Sequence, residues 1–493
     1  MIVGTSSASM ALMALALASG ACGPKVSNNS GGDGGVDSGL SPVCNPGESQ
    51  ACYSGPAGTA GVGPCAAGNQ TCGGDGQWKP CVDEVVPKAE VCGNGVDENC
   101  NGTPDENVDA DGDGFTTCGG DCCDSTSEGC TTPALVNAGA FEAPGNMVDD
   151  DCDGTVDNAV TASCDTGLAS NSANAIDYAK AIELCQTATA GDKKWGVISA
   201  RFVLPSGSGA PDANQKSIRP VFGGTQVQGG SSFVVLSTGN AAAVGQTSPG
   251  YAAPQGGRAI GSTSAMPSDW VAANQNNLPN APGCPNPNGG LTAHDPVMLE
   301  LTVRVPTNAK SFKLSTNFLS SEYPEWTCSA FNDFFVVLLD STWTGQPANP
   351  TDRNLATYTS PTMQKYPVGV NLAFGNTGLF TQCQNGQTGC ATSSGAVPGN
   401  ITTCTSTAGL AGTGMDVTNP APQFANDPGY CGTNNQAGGG TGWLVTQGNV
   451  VGGETIKLRI ALWDTSDGYY DSVSIIDKFE WSVEVSQPGT VIF

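Results

Sequence analysis

A single histidine, His294, occurs in the 493 residues, which all but excludes histidine chemistry and imidazole-rich metal sites. Lysine and arginine are scarce as well. Eighteen stand against 45 Asp and Glu, a formal net charge of −27, which argues against nucleic acid and anionic membrane surfaces as electrostatic partners. There is no Gly-x-Ser-x-Gly, His-Glu-x-x-His, Walker-type loop or dinucleotide fingerprint, so no enzyme is expected and no catalytic residue is nominated. Cys-x-x-Cys is missing, which removes the usual zinc spacing. No apolar run reaches the ~20 residues of a membrane span. What fills the chain instead is 68 Gly, 32 Pro and 21 Cys with only 13% charged residues, the composition of a loop-rich protein of an oxidising compartment.

Residues 1–22, MIVGTSSASMALMALALASGAC, place an apolar stretch from Met10 to Ala18 before Ser19, Gly20, Ala21 and Cys22. At about half the length of a span, it reads as a signal peptide. Small residues before a cysteine resemble a bacterial lipoprotein cleavage site, with Cys22 as the lipidated N-terminus. Setting Cys22 aside leaves 20 cysteines, an even number that can pair fully. The alternative is an ordinary secreted protein with one spare thiol. Residues 23–43 are a flexible tether rich in Gly, Ser, Asn and Asp, reaching about 25 Å. Residues 44–92 carry Cys44, Cys52, Cys65, Cys72, Cys81 and Cys92 with almost no branched aliphatics before Val82, so disulfides must staple this module.

The acidic excess is concentrated. Between Lys88 and Lys180 there is no Lys or Arg, while Glu90 to Asp177 holds 19 acidic residues, a segment that needs cations. GNGVDENCNGTPDE at 93–106 returns as GNMVDDDCDGTVDN at 145–158, eight of fourteen positions identical at a period of 52. Three loops share one spacing: Asp97-x-Asn99-x-Asn101-Gly102, Asp109-x-Asp111-x-Asp113-Gly114 and Asp149-x-Asp151-x-Asp153-Gly154. Oxygen ligands at positions 1, 3 and 5 with glycine at 6 match the first half of an EF-hand-type calcium loop. Asp105 and Asp157 supply position 9. Position 12 falls at Val108, Gly120 and Val160 instead of a bidentate Glu, so other carboxylates must close the shells, with Asp121, Glu106 and Asp124 as candidates. The bland alternative is a set of solvated acidic turns.

EVCGNGVDENCNGTPDE, DADGDGFTTCGGDC and NMVDDDCDGTVD resemble the MopE-type metal-binding repeat of bacterial surface proteins over about residues 90–158. Some members of that family are associated with copper. Here the repeat has no His, and its hard carboxylate and amide oxygens favour Ca²⁺ over copper.

Beyond about Cys164 the pattern is that of strands. Val297, Leu299, Leu301, Val303 and Val305 alternate with Met298, Glu300, Thr302 and Arg304, and Ile456, Leu458, Ile460 and Leu462 alternate with Lys457, Arg459 and Ala461. Further strands are expected at 195–204, 231–238, 311–319, 334–340, 370–374 and 472–485, and one helix over 172–185. The expected fold is mainly β: an antiparallel β-sandwich or jelly roll over 161–493, preceded by the disulfide-rich module (44–92) and a calcium-loop repeat (93–160). FLSSEYPEW (318–326), FNDFFVVLLD (331–340) and IALWDTSDGYYDSVSIIDKFEW (460–481) resemble a choice-of-anchor L domain over about 195–485. That resemblance implies a surface-exposed β-rich domain of unknown ligand.

Within that domain the alternation Val473, Ile475, Asp477, Phe479, Trp481 puts a carboxylate in the apolar register. With Glu322, Glu325, Asp333, Asp464, Asp467 and Asp471, Asp477 suggests a second acidic site, a fourth calcium site or polar pocket. The alternative is hydrogen bonds or ion pairs to Arg459 or Lys478. Function is expected to be binding or adhesion at the cell surface: lipid-anchored in the outer membrane, with polysaccharide or surface proteins as partners. A structural envelope stalk is the second reading, and a carbohydrate-active enzyme using Glu322 and Glu325 the third. His294 reads as a structural hydrogen-bonding residue.

Overall fold

The computed structural model describes residues 43–88, 90–105, 107–126, 130–158, 164–256, 258, 260–285, 289–389, 400–418, 431 and 436–492. Cys22, most of the tether, Glu106 and Cys390 lie outside the described residues. Two compact units divide the chain: residues 1–52 with 68–83, and residues 53–67 with 84–493. In the first, β1 (Ser49–Cys52) and β2 (Gly68–Thr71) pair antiparallel, and Cys44–Cys72 and Cys52–Cys81 clamp them. Disulfides stand here where a larger domain would have an apolar core.

The second unit holds the acidic repeat and the sandwich. Its helix α1 (Ala175–Lys180) is capped by Asn174, whose side chain accepts from the Ile176 N–H at 3.2 Å. This helix is shorter than the periodicity predicts, because Glu183 at φ 71° turns the chain out of helical geometry before Cys185 bonds to Cys164.

The main strands are β3 (Gly196–Val203), β4 (Lys216–Arg219), β5 (Phe233–Ser237), β6 (Thr263–Ala265), β7 (Thr292–Arg304), β8 (Ser311–Ser320), β9 (Phe334–Asp340), β10 (Gly439–Asn449), β11 (Thr455–Thr465), β12 (Ser472–Ser482) and β13 (Gly489–Ile492). One antiparallel sheet runs β13-β10-β8-β12-β5-β4, the other β9-β11-β7-β3 with β6 also paired to β7. Their inner faces share one core. Val297, Leu299, Leu301 and Val303 of β7 and Ile456, Leu458, Ile460 and Leu462 of β11 meet Phe312, Leu314, Ile476 and Phe479 of the facing sheet. Each outer face is also covered. Helix α2 (Ser268–Ala273), which the sequence reading missed, lays the buried Trp270 against Phe334 and Trp463 at ring separations of 5.7 and 5.6 Å. Phe222 of a two-residue strand (Val221–Phe222), Leu410 of a 3-10 turn (Ala408–Leu410) and Met415 cover the other sheet.

Two expectations are corrected. The stretch 370–374 is not a strand; Val370–Leu372 forms a 3-10 turn. The simple alternation in β12 also fails, because a bulge opposite Leu314 and Ser315 puts Lys478 at φ 49°. Ile476 and Phe479 therefore face the inner core, while Val473 and Ile475 join the outer cluster. Among the described residues no helix is long and apolar enough to cross a membrane.

Candidate metal centre

Local sequence dictates the three acidic loops, and they fold alike. In each, the position-1 Asp takes amide N–H groups from the far side of its own turn. Asp97 accepts from Asn101 (3.0 Å) and Gly102 (2.8 Å), Asp149 from Asp153 (3.1 Å) and Gly154 (2.9 Å), and Asp109 from Gly112 (2.7 Å) and Gly114 (3.1 Å). Position 3 accepts from position 5 in all three, at 3.0 to 3.1 Å. The glycine at position 6 has φ between 91° and 100°, a left-handed turn that folds the side-chain oxygens inward.

Of the carboxylates the sequence offers to close the shells, Asp121 and Asp124 come into place beside the second loop, and Glu106 lies outside the described residues. Carboxylate oxygens of Asp109, Asp111 and Asp113 lie within 4.8 Å of one another, and Asp111 does the same with Asp121 and Asp124. The second loop thus gathers five carboxylates. In the third loop Glu142 joins Asp149 and Asp151. Glu142 escaped the motif search but was reachable from the period, since 142 − 90 = 52 places it opposite Glu90. The two do the same work: Glu90 accepts from the Asn99 N–H at 2.8 Å, and Glu142 from the Asp151 N–H at 3.1 Å.

Asp105 and Asp157, at position 9, gather backbone amides. Asp105 accepts from the N–H groups of Gly93, Asn94 and Gly95 (2.6, 3.0 and 2.7 Å), and Asp157 from those of Gly145, Asn146 and Met147 (2.8, 3.2 and 3.1 Å). Each pins the turn ahead of its loop. Neither belongs to an acidic group tight enough to share an ion among the described residues.

Three oxygens in these shells, Asp111 Oδ2, Asp121 Oδ2 and Glu142 Oε2, are buried without a hydrogen-bond partner. That arrangement is costly unless something cationic faces them. Burial first, then the like charges of Asp113, Asp111 and Asp124, pushes Asp121 up to about 7. Burial likewise raises Asp111, Asp113, Glu142 and Asp151. The donor set is therefore oxygen-only, negative and partly desolvated, a fit for a hard divalent cation. Every described cysteine is disulfide-bonded, so no thiolate competes as a ligand. Cys65–Cys100, Cys92–Cys118, Cys122–Cys152 and Cys123–Cys130 brace the loops.

The second acidic group is only partly as expected. Glu322, Asp333, Asp464, Asp467 and Asp471 converge at one end of the sandwich, where each is raised first by burial and several by one another's charges. Asp477 is elsewhere, five residues along β12 from Ser472, in the register of Val473 and Ile475 and ahead of the bulge at Lys478. It accepts from the Gln228, Gly229 and Lys478 N–H groups (2.5, 3.4 and 2.8 Å) and lies near Glu183 and Asp165. The expected cationic partners are occupied too. Arg459 bonds Asp269 at 2.6 and 3.0 Å, and Lys478 pairs with Glu480. His294 sits within β7, facing Asp464 across the ladder.

Residues 87–106 and 132–158 match the family model described as a putative metal-binding motif, the MopE type. The two matched segments contain the first and third loops and leave the second between them. No curated protein and no solved structure matches the chain. The MopE-type match and the many disulfides identify a metal-binding repeat within a protein of the extracellular or periplasmic kind.

Proposed function

We propose that this is an exported, lipid-anchored surface protein whose acidic repeats bind calcium and whose β-sandwich carries a binding or adhesion surface. The observation that carries the metal assignment is the set of buried, unpartnered oxygens on Asp111, Asp121 and Glu142 inside converging carboxylates. Asp97, Asn99, Asn101 and Glu90 would hold one ion; Asp109, Asp111, Asp113, Asp121 and Asp124 a second; Asp149, Asp151, Asp153 and Glu142 a third. Calcium supplies two positive charges per loop. The chain supplies the rest: backbone amides orient each position-1 Asp, and disulfides hold neighbouring loops together. Copper is disfavoured because the described cysteines are all oxidised and the sole histidine lies in the sandwich.

Hydrogen bonds between Thr307 and Asn308 and residues 137–141 also suit a structural part for the repeat, as a stiff spacer that displays the sandwich. Polysaccharide or surface proteins are the proposed ligands, and Cys22 the proposed point of lipid attachment. A glycan and matrix-component binding screen on the full chain, with and without Ca²⁺, tests the binding reading. Calcium-dependent capture supports adhesion, and absence of any ligand leaves the spacer reading standing in its place.

A further inference from the structure

The end of the sandwich distant in sequence from the repeats carries its own charge problem. Glu322 follows β8 by two residues and Asp471 precedes β12 by one, both in the six-stranded sheet. Asp333 precedes β9 by one residue and Asp464 lies near the end of β11, both in the five-stranded sheet. Glu322, Asp333, Asp464 and Asp471 are each at most 3% exposed. Both oxygens of Asp464, Glu322 Oε2 and Asp333 Oδ1 are buried without a well-formed hydrogen bond, although Asp333 and Asp464 lie close enough to interact with one another. Thr238 lies close enough to temper Asp464 but makes no well-formed hydrogen bond to either oxygen.

What faces Asp464 is other carboxylates: Asp333, Asp471 and Glu322. A further carboxylate, Asp295, lies close by but accepts from the N–H groups of Ile260 and Ser262 and from the Ser262 hydroxyl. A Cβ on Gly468 would stand 2.5 Å from Asp295 Oδ2 and 3.8 Å from Asp464 Oδ2, so only glycine lets the chain pass between them. Among the described residues, the basic side chains acting on the group are Arg258, on Asp471, and His294, on Asp467. Arg258 is already bound to Asp212 at 2.9 Å. Isolated buried carboxylates are so costly that they are paired, protonated or bound to metal.

We propose that this end of the sandwich is a separate divalent-cation site, filled by Ca²⁺ and held by Asp333 and Asp464 with Glu322 and Asp471 around it. No three of its carboxylates lie within 4.8 Å of one another, unlike those of the repeats. The ion would therefore take two direct carboxylates, with neutral oxygens completing the shell. The ion ties together the connections of both sheets at that end. It also fixes the 321–333 and 466–471 loops, whose Trp326 packs on Phe331 (4.8 Å) and Tyr470 (6.3 Å).

Terbium, an oxygen-seeking stand-in for calcium, tests this on the full chain. The probe is Tb³⁺ emission excited through tryptophan, in a triple variant Asp97→Ala, Asp109→Ala, Asp149→Ala that disables the repeats and leaves the sandwich intact. The expected result is one retained ion with sensitised emission that Ca²⁺ competes away and that the added change Asp464→Asn abolishes. A triple variant that binds no Tb³⁺, or one whose binding is unchanged by Asp464→Asn, overturns the proposal. Loss of the repeat sites themselves is read separately, as the difference in stoichiometry between wild type and triple variant.

Discussion

Asn308 holds the backbone of Phe141 at both of its polar atoms, its amide nitrogen donating to the carbonyl at 2.8 Å and its amide oxygen accepting from the N–H at 3.1 Å. The pair joins the loop after β7 to the acidic repeat, one residue before Glu142. Thr307 adds two more links, its N–H donating to the Gly139 carbonyl (2.9 Å) and its hydroxyl to the Asn137 side chain (2.7 Å). Asn137 in turn donates to Asp113 at 2.6 Å. Lys193 reaches the Gly114 carbonyl and stands 5.2 Å over the Phe115 ring. Sandwich and repeat are thus coupled through the residues that flank the ion loops.

Replacing Asn308 by Ala removes two hydrogen bonds, each worth about 1 kcal/mol net. The expected outcome is a loss of about 1–2 kcal/mol in stability together with weaker calcium binding, because Phe141 positions Glu142. Thermal unfolding at saturating calcium and calorimetric titration check both. Unchanged calcium affinity would show that the repeat sets its own geometry without the sandwich.

Burial and neighbouring like charges raise Glu183 to about 7 and Asp477 to about 6. A carboxyl raised in the folded state binds its proton more tightly there than in the unfolded chain. Its stabilising contribution is complete below the ordinary carboxylate range and is lost as pH rises through about 6 to 7. Glu183→Gln is therefore expected to raise the melting temperature at about pH 8 and to change it little near pH 4, flattening the fall between. A melting temperature that rises from acid to neutral pH in wild type by the same amount as in the variant would count against this.

Trp270 is fully buried on the outer face of the five-stranded sheet, between Phe334 and Trp463. Trp270→Ala should cost about 3–5 kcal/mol, the range for large aromatic truncations. Denaturant unfolding reads it directly, and a loss under about 1 kcal/mol would mean α2 covers that face only loosely.

Release of the protein from membranes by Cys22→Ser is the outcome the lipid anchor requires. Fractionation of cells expressing the variant checks it, and membrane association that survives the change would exclude lipidation as the tie.

The strands that announced themselves in sequence were those whose branched apolar side chains alternate along the chain. Val297 to Val303 and Ile456 to Leu462 each show one apolar face, and both became the inner core. Strand β10 did not, because Gly439, Gly440, Gly442 and Gly448 interrupt any alternation; its place comes from pairing with β8 and β13. Placing Asp477 on the same face as Phe479 and Trp481 has a similar origin. A period of two assumes an unbroken ladder, and the bulge at Lys478 shifts every residue after it to the other face. In the repeat, position within the loop identified Asp97, Asp109 and Asp149 and the oxygens that follow them. Asp121 and Asp124 were offered by the sequence as closing carboxylates and do converge on Asp111, whereas Glu142 lies seven residues ahead of Asp149, where a rule that counts forward from position 1 does not look. Asp105 and Asp157 fit the spacing rule and nevertheless serve as caps, since three amide donors converge on each.

Calorimetric calcium titration of the chelator-treated, oxidised full chain bears most directly on the metal assignment. Wild type is expected to bind several ions, with Asp97→Ala, Asp109→Ala and Asp149→Ala each lowering the stoichiometry by about one and Glu142→Gln weakening the third loop. Absence of binding heat at millimolar calcium, with small-angle scattering identical in calcium and in chelator, would contradict the account and leave the repeat as a disulfide-braced acidic spacer.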